Sequence, residues 1–185
     1  MSADPYVLPP NLPVPEDDGA ADHLPGMRLP PLVLDSSAGP VDLAGLAADR
    51  LVLYVYPRAG RPGRPSLPGW DALPGARGCT PQSCAFRDHE AALRDLGARV
   101  AGLSAQTLED QVEFAERNHI GYPVISDPER RLGAAIGLPT FEAAGQTLYK
   151  RLALVAEGGA ILKAFYPVFP PDRNAADVVA WLRGR

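Results

Sequence analysis

The sequence is poor in the residues that usually hold metals. Its 185 residues include two cysteines and three histidines, whereas a structural zinc site normally takes four ligands. A glycine-rich phosphate loop is missing as well. The sequence therefore predicts no metal centre and no cofactor.

Long apolar runs and blocks of like charge are also missing. The longest apolar run, residues 51–56, is far too short to cross a bilayer. The first residues do not show the basic and then apolar pattern of a signal peptide. The formal net charge is −4, so nucleic acid and anionic membranes are poor candidates as partners. These absences predict a cytoplasmic globular protein.

Lysine is scarce too. Of the 18 basic residues, only Lys150 and Lys163 are lysines, and all the others are arginines. An arginine near a site is therefore weak evidence of a role by itself. Only its position within a motif supports a function.

The chain does have enough apolar residues for a core. With 46% hydrophobic residues, a chain of this length can bury a core without metals or disulfides. Residues 1–23 differ, because their prolines exclude a continuous helix or a central strand. We expect them to form an extended arm that lies on the domain, crosses to a neighbouring subunit or is disordered. Residues 24–185 are expected to form one domain.

Within this domain, patterns typical of strands alternate with patterns typical of helices. Strands are predicted as a short pair within 26–43, at 51–56, 98–104 and 122–126, and as a hairpin of 148–155 with 161–168. Helices are predicted at 81–96, 108–118, 127–136 and 173–182. This order predicts an α/β domain with a thioredoxin-like fold, in which helices flank a central mixed sheet.

Three of these helices have candidate N-terminal caps in the sequence. Thr107 precedes the helix at 108–118, and Asp127 with Pro128 begins the next one. Asp172 or Asn174 is expected to cap the last helix.

Both cysteines lie in one stretch, residues 78–88, which reads G-C-T-P-Q-S-C-A-F-R-D. Pro81 suits the first turn of a helix, because its missing N–H has no intrahelical partner there. Thr80 is expected to cap this start with its hydroxyl. Cys79 would then lie beside unpaired backbone N–H groups at the positive end of the helix dipole, a placement that stabilises a thiolate.

The spacing of the two cysteines indicates how they work together. On an intact helix, five residues correspond to about 7.5 Å of rise and roughly 140° of rotation. The two side chains would then diverge, too far apart for a disulfide. A bond between Cys79 and Cys84 would require the first helical turns to unwind, which is typical of a switchable redox pair.

The sequence motif G-C-T-P-x-x-C-x-F-R-D is similar to that of the peroxiredoxins, most closely the bacterioferritin-comigratory, or Q-type, branch. The resemblance spans about residues 24–185. It implies a thiol-dependent peroxidase in which Cys79 attacks hydrogen peroxide or an organic hydroperoxide. Cys84 would resolve the sulfenic acid as an intramolecular disulfide, and a thioredoxin-like reductant would restore both thiols. It also implies either a monomer or a homodimer.

The resemblance further implies which groups bind and polarise the peroxide. The family's arginine stands in an R-x-x-x-V-x-x-x-G pattern, which Arg151 matches here. The backbone N–H groups of Gly78 and Cys79 are expected to assist it. Pro57 and Thr80 are expected to border the substrate. An arginine at a hairpin edge without a role is the alternative for Arg151.

One departure from the family pattern affects the site. The family places a proline and a hydroxyl residue seven and three positions before the first cysteine. Here Pro57 precedes Cys79 by 22 positions, which implies an inserted loop of about residues 60–74, and Ala76 stands where the hydroxyl is expected. Thr80, Ser83 or a group from the loop would have to compensate.

Two further features of the sequence can border the predicted site. Trp70 is the only large aromatic residue of the inserted loop, and it would either cover the pocket or pack the loop onto the domain. Ser104 and Gln106, at the end of the second core strand, are candidate neighbours of the pocket. Arg87 is expected to form a salt bridge on its own helix or a subunit contact.

Two other functions stay open. A thiol–disulfide oxidoreductase or redox sensor on the same fold is favoured by the missing hydroxyl, although such proteins usually space their cysteines C-x-x-C. A binding or scaffold protein with a degenerate site is the third reading. The rate at which peroxide oxidises Cys79 separates a peroxidase from both.

Overall fold

The computed structural model describes residue 4 and residues 6–185. Pro5, one of the prolines on which the predicted arm rests, lies outside the described residues together with residues 1–3. Among the helices described, none is long and apolar enough to cross a membrane.

Strands and helices alternate through most of the described chain. The strands are β1 (Val33–Leu34), β2 (Val41–Asp42), β3 (Arg50–Val55), β4 (Ala98–Ser104), β5 (Val124–Ser126), β6 (Thr140–Ala143), β7 (Gln146–Tyr149), β8 (Leu152–Glu157) and β9 (Ala160–Phe165). The helices are α1 (Leu43–Leu46), α2 (Cys79–Asp88), α3 (Glu90–Asp95), α4 (Leu108–Arg117), α5 (Arg131–Ile136) and α6 (Asn174–Arg183).

A five-stranded mixed sheet forms the centre of the molecule. Its strand order is β5-β4-β3-β8-β9. Strands β3, β4 and β5 run parallel, whereas β8 pairs antiparallel with both β3 and β9. The predicted α/β class, with helices around a central mixed sheet in a thioredoxin-like arrangement, is confirmed.

Strand β3 separates two hydrophobic cores. Successive side chains of a strand point to opposite faces, and here Leu51 and Leu53 join the core beneath α1 and α5. Val52 and Tyr54 join the core beneath α2, α4 and α6. Because both faces are covered, the strand is apolar throughout, as expected for a central strand.

The segment after the first cysteine is not the single helix that was expected over residues 81–96. Helix α2 begins earlier, at Cys79, and ends at Asp88, and α3 follows from Glu90. The chain leaves helical geometry at His89, whose ring nitrogen Nδ1 lies 2.8 Å from the Ala85 carbonyl oxygen. The side chain thus competes for a carbonyl that ordinarily serves the helix backbone.

Thr80 does not cap α2, so that prediction is wrong. The residue before the helix is Gly78, at φ 103°, and no side chain caps this start. Thr80 lies inside the first turn and is buried. Only glycine fits at position 78, because a Cβ atom would overlap the Pro171 ring and crowd Leu8 of the arm.

The other predicted caps had mixed outcomes. Thr107 caps α4, and its hydroxyl accepts the N–H of Asp110. Helix α5 begins at Arg131 rather than at residue 127, although the Asp127 carboxylate still accepts two N–H groups of its first turn. Neither Asp172 nor Asn174 caps α6, because a 3₁₀ turn over Pro171–Arg173 leads directly into it.

The hairpin of strands β6 and β7 was not predicted. The expected strand over residues 148–155 is divided in the structure, because β7 ends at Tyr149 and β8 begins at Leu152. Lys150 and Arg151 form the link between this small hairpin and the central sheet. The division places Arg151 where the chain enters the sheet rather than within a hairpin edge.

The described part of the arm lies on the domain, which is the first of the three expected placements. Asp18 accepts hydrogen bonds from the Lys150 ammonium and from the Tyr166 hydroxyl at 2.5 and 2.6 Å. The Lys150 contact is the main reason why the pKa of Asp18 lies below its ordinary value. Closer to the chain start, Leu8 packs near Gly78 and the Tyr6 hydroxyl meets Arg117.

The contact between Gly102 and Tyr54 provides a test of this packing. A Cβ atom at Gly102 would lie 2.6 Å from the Tyr54 ring, which is fully buried. We expect Gly102→Ala to lower the free energy of unfolding by about 1–3 kcal/mol, since overpacking a core costs that much. Urea denaturation measures it. The control is Gly121→Ala, where a Cβ meets nothing within 4 Å, and equal losses in the two variants would contradict the packing described.

Candidate active site

Cys79 begins helix α2 beside the carboxyl ends of the parallel strands β3 and β4. Its side chain is 3% exposed and borders a cavity of about 80 Å³ that Gly78, Thr80 and Gln106 also line. Ligands of open α/β sheets bind at this edge. The first backbone N–H groups of a helix lack intrahelical acceptors and carry partial positive charge. The position therefore suits a sulfur that must carry negative charge.

The guanidinium of Arg151 lies against this sulfur. Its Nη2 atom is 3.3 Å from Cys79 Sγ. The same nitrogen donates to the backbone carbonyls of Gly75, Ala76 and Arg77 at 3.0–3.2 Å. In the described part of the chain, its hydrogen-bond partners are neutral oxygens and the sulfur, so its charge is not cancelled by a carboxylate there. A cation this close attracts negative charge on the sulfur.

Two buried amides hold this arginine in place. Arg151 Nη1 donates to Gln82 Oε1, and Gln82 Nε2 donates to Asn174 Oδ1 at 2.9 Å. All three side chains are buried. The chain of bonds connects the entry to β8 with α2 and α6. Sequence reasoning did not assign Gln82 and Asn174 to the site. The only hint was that Gln82 is a polar residue inside the cysteine motif.

The backbone at Ala76 does not replace the missing hydroxyl, because a carbonyl accepts a hydrogen bond and cannot donate one to a thiolate or a peroxide. The Cys79 thiol lies 3.6 Å from the Ala76 carbonyl oxygen, which can accept its hydrogen. Of the two hydroxyl residues expected to compensate, Thr80 lines the cavity with Cys79 and Ser83 does not. The Ser83 side chain is fully buried within α2. A hydroxyl group available to a bound peroxide therefore comes from Thr80 or from Ser66 of the loop.

Trp70 both packs the loop and borders the cavity. It stands in a single 3₁₀ turn, Trp70–Ala72, and is 7% exposed. Its ring lies 6.3 Å from that of Phe141, in a small core with Ala76 and Leu148. The same residue lines the Cys79 cavity. The two alternatives for Trp70 are thus combined, and the unpredicted hairpin of β6 and β7 supplies the surface on which the loop packs.

Cys84 lies further along the same helix and outside the cavity. Helix α2 is continuous from Cys79 to Asp88, and both cysteines are free thiols. Cys84 Sγ is 3.8 Å from Asn118 Oδ1. Partial burial raises the pKa of the Cys84 thiol above its ordinary value. Unwinding of α2 is required before the two sulfurs can bond, as the spacing predicts.

An aromatic layer supports the helix between the two cysteines. The Tyr54 ring stacks on Phe86, with centroids 4.5 Å apart. The Tyr122 hydroxyl donates to the Ser83 carbonyl at 2.9 Å and meets the Tyr54 hydroxyl at 3.0 Å. Burial raises the pKa of both tyrosines, so they stay neutral. Unwinding the segment would disturb the Tyr122 bond.

The remaining predicted residues are divided between the cavity and its surroundings. Gln106 lines the cavity and holds Ala59 through two hydrogen bonds, at 2.7 and 3.1 Å. Ser104 is buried behind it. Pro57 is buried at the end of β3, and the next residue, Arg58, lines the cavity instead. Arg87 pairs with Asp88 on its own helix, as expected.

Comparisons with known proteins relate the whole domain to a family. The sequence profile of the redoxin family matches residues 24–180. The chloroplastic peroxiredoxin Q of Sedum lineare is 25% identical over 159 residues, which cover 85% of this chain and 77% of the relative. Peroxiredoxin Bcp of Escherichia coli K12 is 23% identical over 167 residues, which cover 89% of this chain and 95% of the relative.

A solved structure gives the same result for the fold. The crystal structure of peroxidoxin BcpB from Mycobacterium tuberculosis matches with a TM-score of 0.70 and 26% sequence identity. The match covers 86% of this chain and 96% of that one.

The environment of Cys84 predicts its reactivity. In a Cys79→Ser variant, iodoacetamide should modify Cys84 more slowly at pH 7 than it does in concentrated urea, because only the thiolate reacts. Since burial raises the pKa, the half-maximal rate should come above the ordinary thiol midpoint of about 8.5. A pH series of alkylation rates, read by mass spectrometry, measures both. A midpoint at or below that value would contradict the buried setting.

Proposed function

The chain belongs to the redoxin family and is a thiol-dependent peroxidase, and we propose that Cys79 is its peroxide-attacking cysteine and Cys84 its resolving cysteine. One observation carries the assignment of Cys79. Cys79 is the first residue of α2, and its sulfur lies 3.3 Å from Nη2 of the buried Arg151 guanidinium.

In the first step, the Cys79 thiolate attacks one oxygen of the hydroperoxide. The S–O bond forms as the O–O bond breaks, and the departing oxygen takes up a proton and leaves as water or an alcohol. Negative charge builds on the peroxide oxygens in the transition state. We assign its stabilisation to Arg151 Nη2, which lies beside the sulfur, and to the backbone N–H groups of Gly78 and Cys79.

Thr80 and Pro57 have supporting roles in this proposal. Thr80 borders the cavity and offers a hydroxyl to the bound peroxide. Pro57 lies two residues after the end of β3 and leads the chain into the loop that bounds the cavity, so its role is positional.

The second step joins the two cysteines. The sulfur of Cys84 attacks the sulfenic sulfur of Cys79, an S–S bond forms, and the hydroxyl leaves as water with the proton from the Cys84 thiol. This step follows unwinding of α2 over Cys79–Cys84. A thioredoxin-like dithiol then reduces the disulfide by thiol–disulfide exchange. We further propose a cytoplasmic location and a monomer or homodimer.

A redox sensor with slow peroxide turnover is the second candidate. Ala76 supplies no hydroxyl, and Cys79 is 3% exposed beneath the Trp70 loop, which favours slow entry of substrate. The two candidates predict different rates. A peroxidase thiol reacts orders of magnitude faster with peroxide than a free thiol does, and a slow sensor does not.

Steady-state turnover tests the proposal directly. With thioredoxin, its reductase and NADPH, the wild-type protein should consume hydrogen peroxide or an organic hydroperoxide, and Cys79→Ser should show no consumption above the uncatalysed rate. Cys84→Ser should still form the sulfenic acid at Cys79 in a single turnover but lose thioredoxin-dependent turnover. Wild-type activity in Cys79→Ser would refute the assignment.

The resolving step has its own test. One equivalent of peroxide should convert the wild-type protein to a species two mass units lighter, since disulfide formation removes two hydrogens. Peptide mapping should then find Cys79 linked to Cys84. A linkage between two chains, or no linkage, would show that Cys84 does not resolve the sulfenic acid within its own chain.

A further inference from the structure

We infer that the cavity over Cys79 selects small hydroperoxides that carry a negative charge, such as a carboxylate. This inference deepens the proposed function and rests on it. The inference is based on the inserted loop and the residues around it, which place several arginines around a cavity of about 80 Å³.

The lining of this cavity is strongly cationic. Four arginines line it, and the only acidic residue among the lining residues described is Asp110. The four are Arg58, Arg61, Arg64 and Arg77. This concentration is unusual for a chain whose formal net charge is −4.

Ion pairs account for only two of the four charges. Arg61 lies 2.9 Å from Asp110. Glu109 and Glu113 lie 3.4 and 3.7 Å from the same guanidinium group. Arg77 lies 3.3 Å from Asp71. Arg58 donates to Gln146, a neutral amide, at 3.1 Å. In the described part of the chain, neither Arg58 nor Arg64 has a carboxylate partner. These two guanidinium groups at the rim of the cavity are therefore available for direct pairing with an anion.

Such an arrangement favours anions for two physical reasons. A cleft lined by charges of one sign, with protein walls of low dielectric, concentrates ligands of opposite charge and raises their association rates. A guanidinium also binds a carboxylate through two parallel N–H···O bonds. Arg151 is already directed at the sulfur, so the remote anionic group would meet Arg58 and Arg64 at the rim.

The small volume limits what the anion can be attached to. The cavity of about 80 Å³ is open to solvent and has room for a peroxide group and a short chain, whereas a large hydrophobic tail would have to extend out of it into water. A short-chain hydroperoxy carboxylate fits both the charge and the size. The chemical step is unchanged, because the carboxylate takes no part in O–O cleavage.

A matched pair of substrates tests the inference. The carboxylate 3-hydroperoxy-3-methylbutanoate and the neutral tert-butyl hydroperoxide share the same tertiary peroxide group. At low ionic strength, the second-order rate constant for Cys79 oxidation should be about tenfold higher for the carboxylate, within the range of electrostatic steering. The advantage should shrink as salt screens the rim charges. Stopped-flow measurements give both constants.

Variants of the rim arginines then test which positive charges cause the preference for the anionic substrate. Replacing both rim arginines, Arg58→Gln with Arg64→Gln, should bring the ratio of the two rate constants to about one, since the source of steering is removed. The control is Arg94→Gln, an exposed arginine of α3, the helix that precedes the amino end of β4. This control should keep the wild-type ratio.

The outcomes separate this inference from the proposed function. A wild-type ratio near one, in a protein that still consumes hydrogen peroxide through Cys79, overturns the inference and leaves the peroxidase assignment intact. A ratio that stays high in the double variant also overturns it. Absence of Cys79-dependent oxidation by any of the three peroxides defeats the proposed function, and this inference with it.

Discussion

The buried guanidinium of Arg151 is the interaction on which the rest of the site depends. A buried cation is costly unless it is paired or hydrogen-bonded, and here its described partners are three backbone carbonyls, an amide oxygen and a sulfur. Since none of these partners carries a fixed negative charge, the field of the arginine acts on Cys79. The same bonds hold residues 75–77, which follow the inserted loop, so the end of the loop, α2 and the start of β8 are joined at one point.

Helix α2 imposes the second constraint, because it keeps the two cysteines apart. In the reduced protein the helix places Cys79 at Arg151 and directs Cys84 toward Asn118. The Tyr122 hydroxyl holds the Ser83 carbonyl between them. A disulfide between the two cysteines requires this helix to unwind. Under the proposed roles of Cys79 and Cys84, attack on peroxide and resolution would thus be separated by a local conformational change.

The sequence predicted the fold best where a structural feature depends on residues that are close together along the chain. The apolar run at 51–56 indicated a central strand because both faces of β3 are covered. Thr107 was recognised because its cap is a local contact, in which its hydroxyl accepts the N–H of Asp110 three residues later. Thr80 was misread as a cap because the packing of Pro171 and the arm on Gly78 is a long-range effect. The bond between Gln82 and Asn174 also depends on a contact that no short window contains. The break at His89, by contrast, involves a carbonyl only four residues earlier. The residues proposed for the site were named from the motif, and the structure brings Cys79 and Arg151 into contact.

The rate constant for oxidation of Cys79 by hydrogen peroxide, in wild type and in Arg151→Lys, tests the central claim most directly. Lysine keeps the charge but cannot contact the sulfur, the carbonyls and Gln82 at the same time. The oxidation rate constant, measured by stopped flow, should therefore fall by about 100-fold, as it does when an oxyanion-hole donor is lost. The exposed Arg99→Lys on β4 serves as the control and should react like wild type. If Arg151→Lys keeps its circular dichroism spectrum and reacts at the wild-type rate, the guanidinium does not activate the sulfur and the account is wrong.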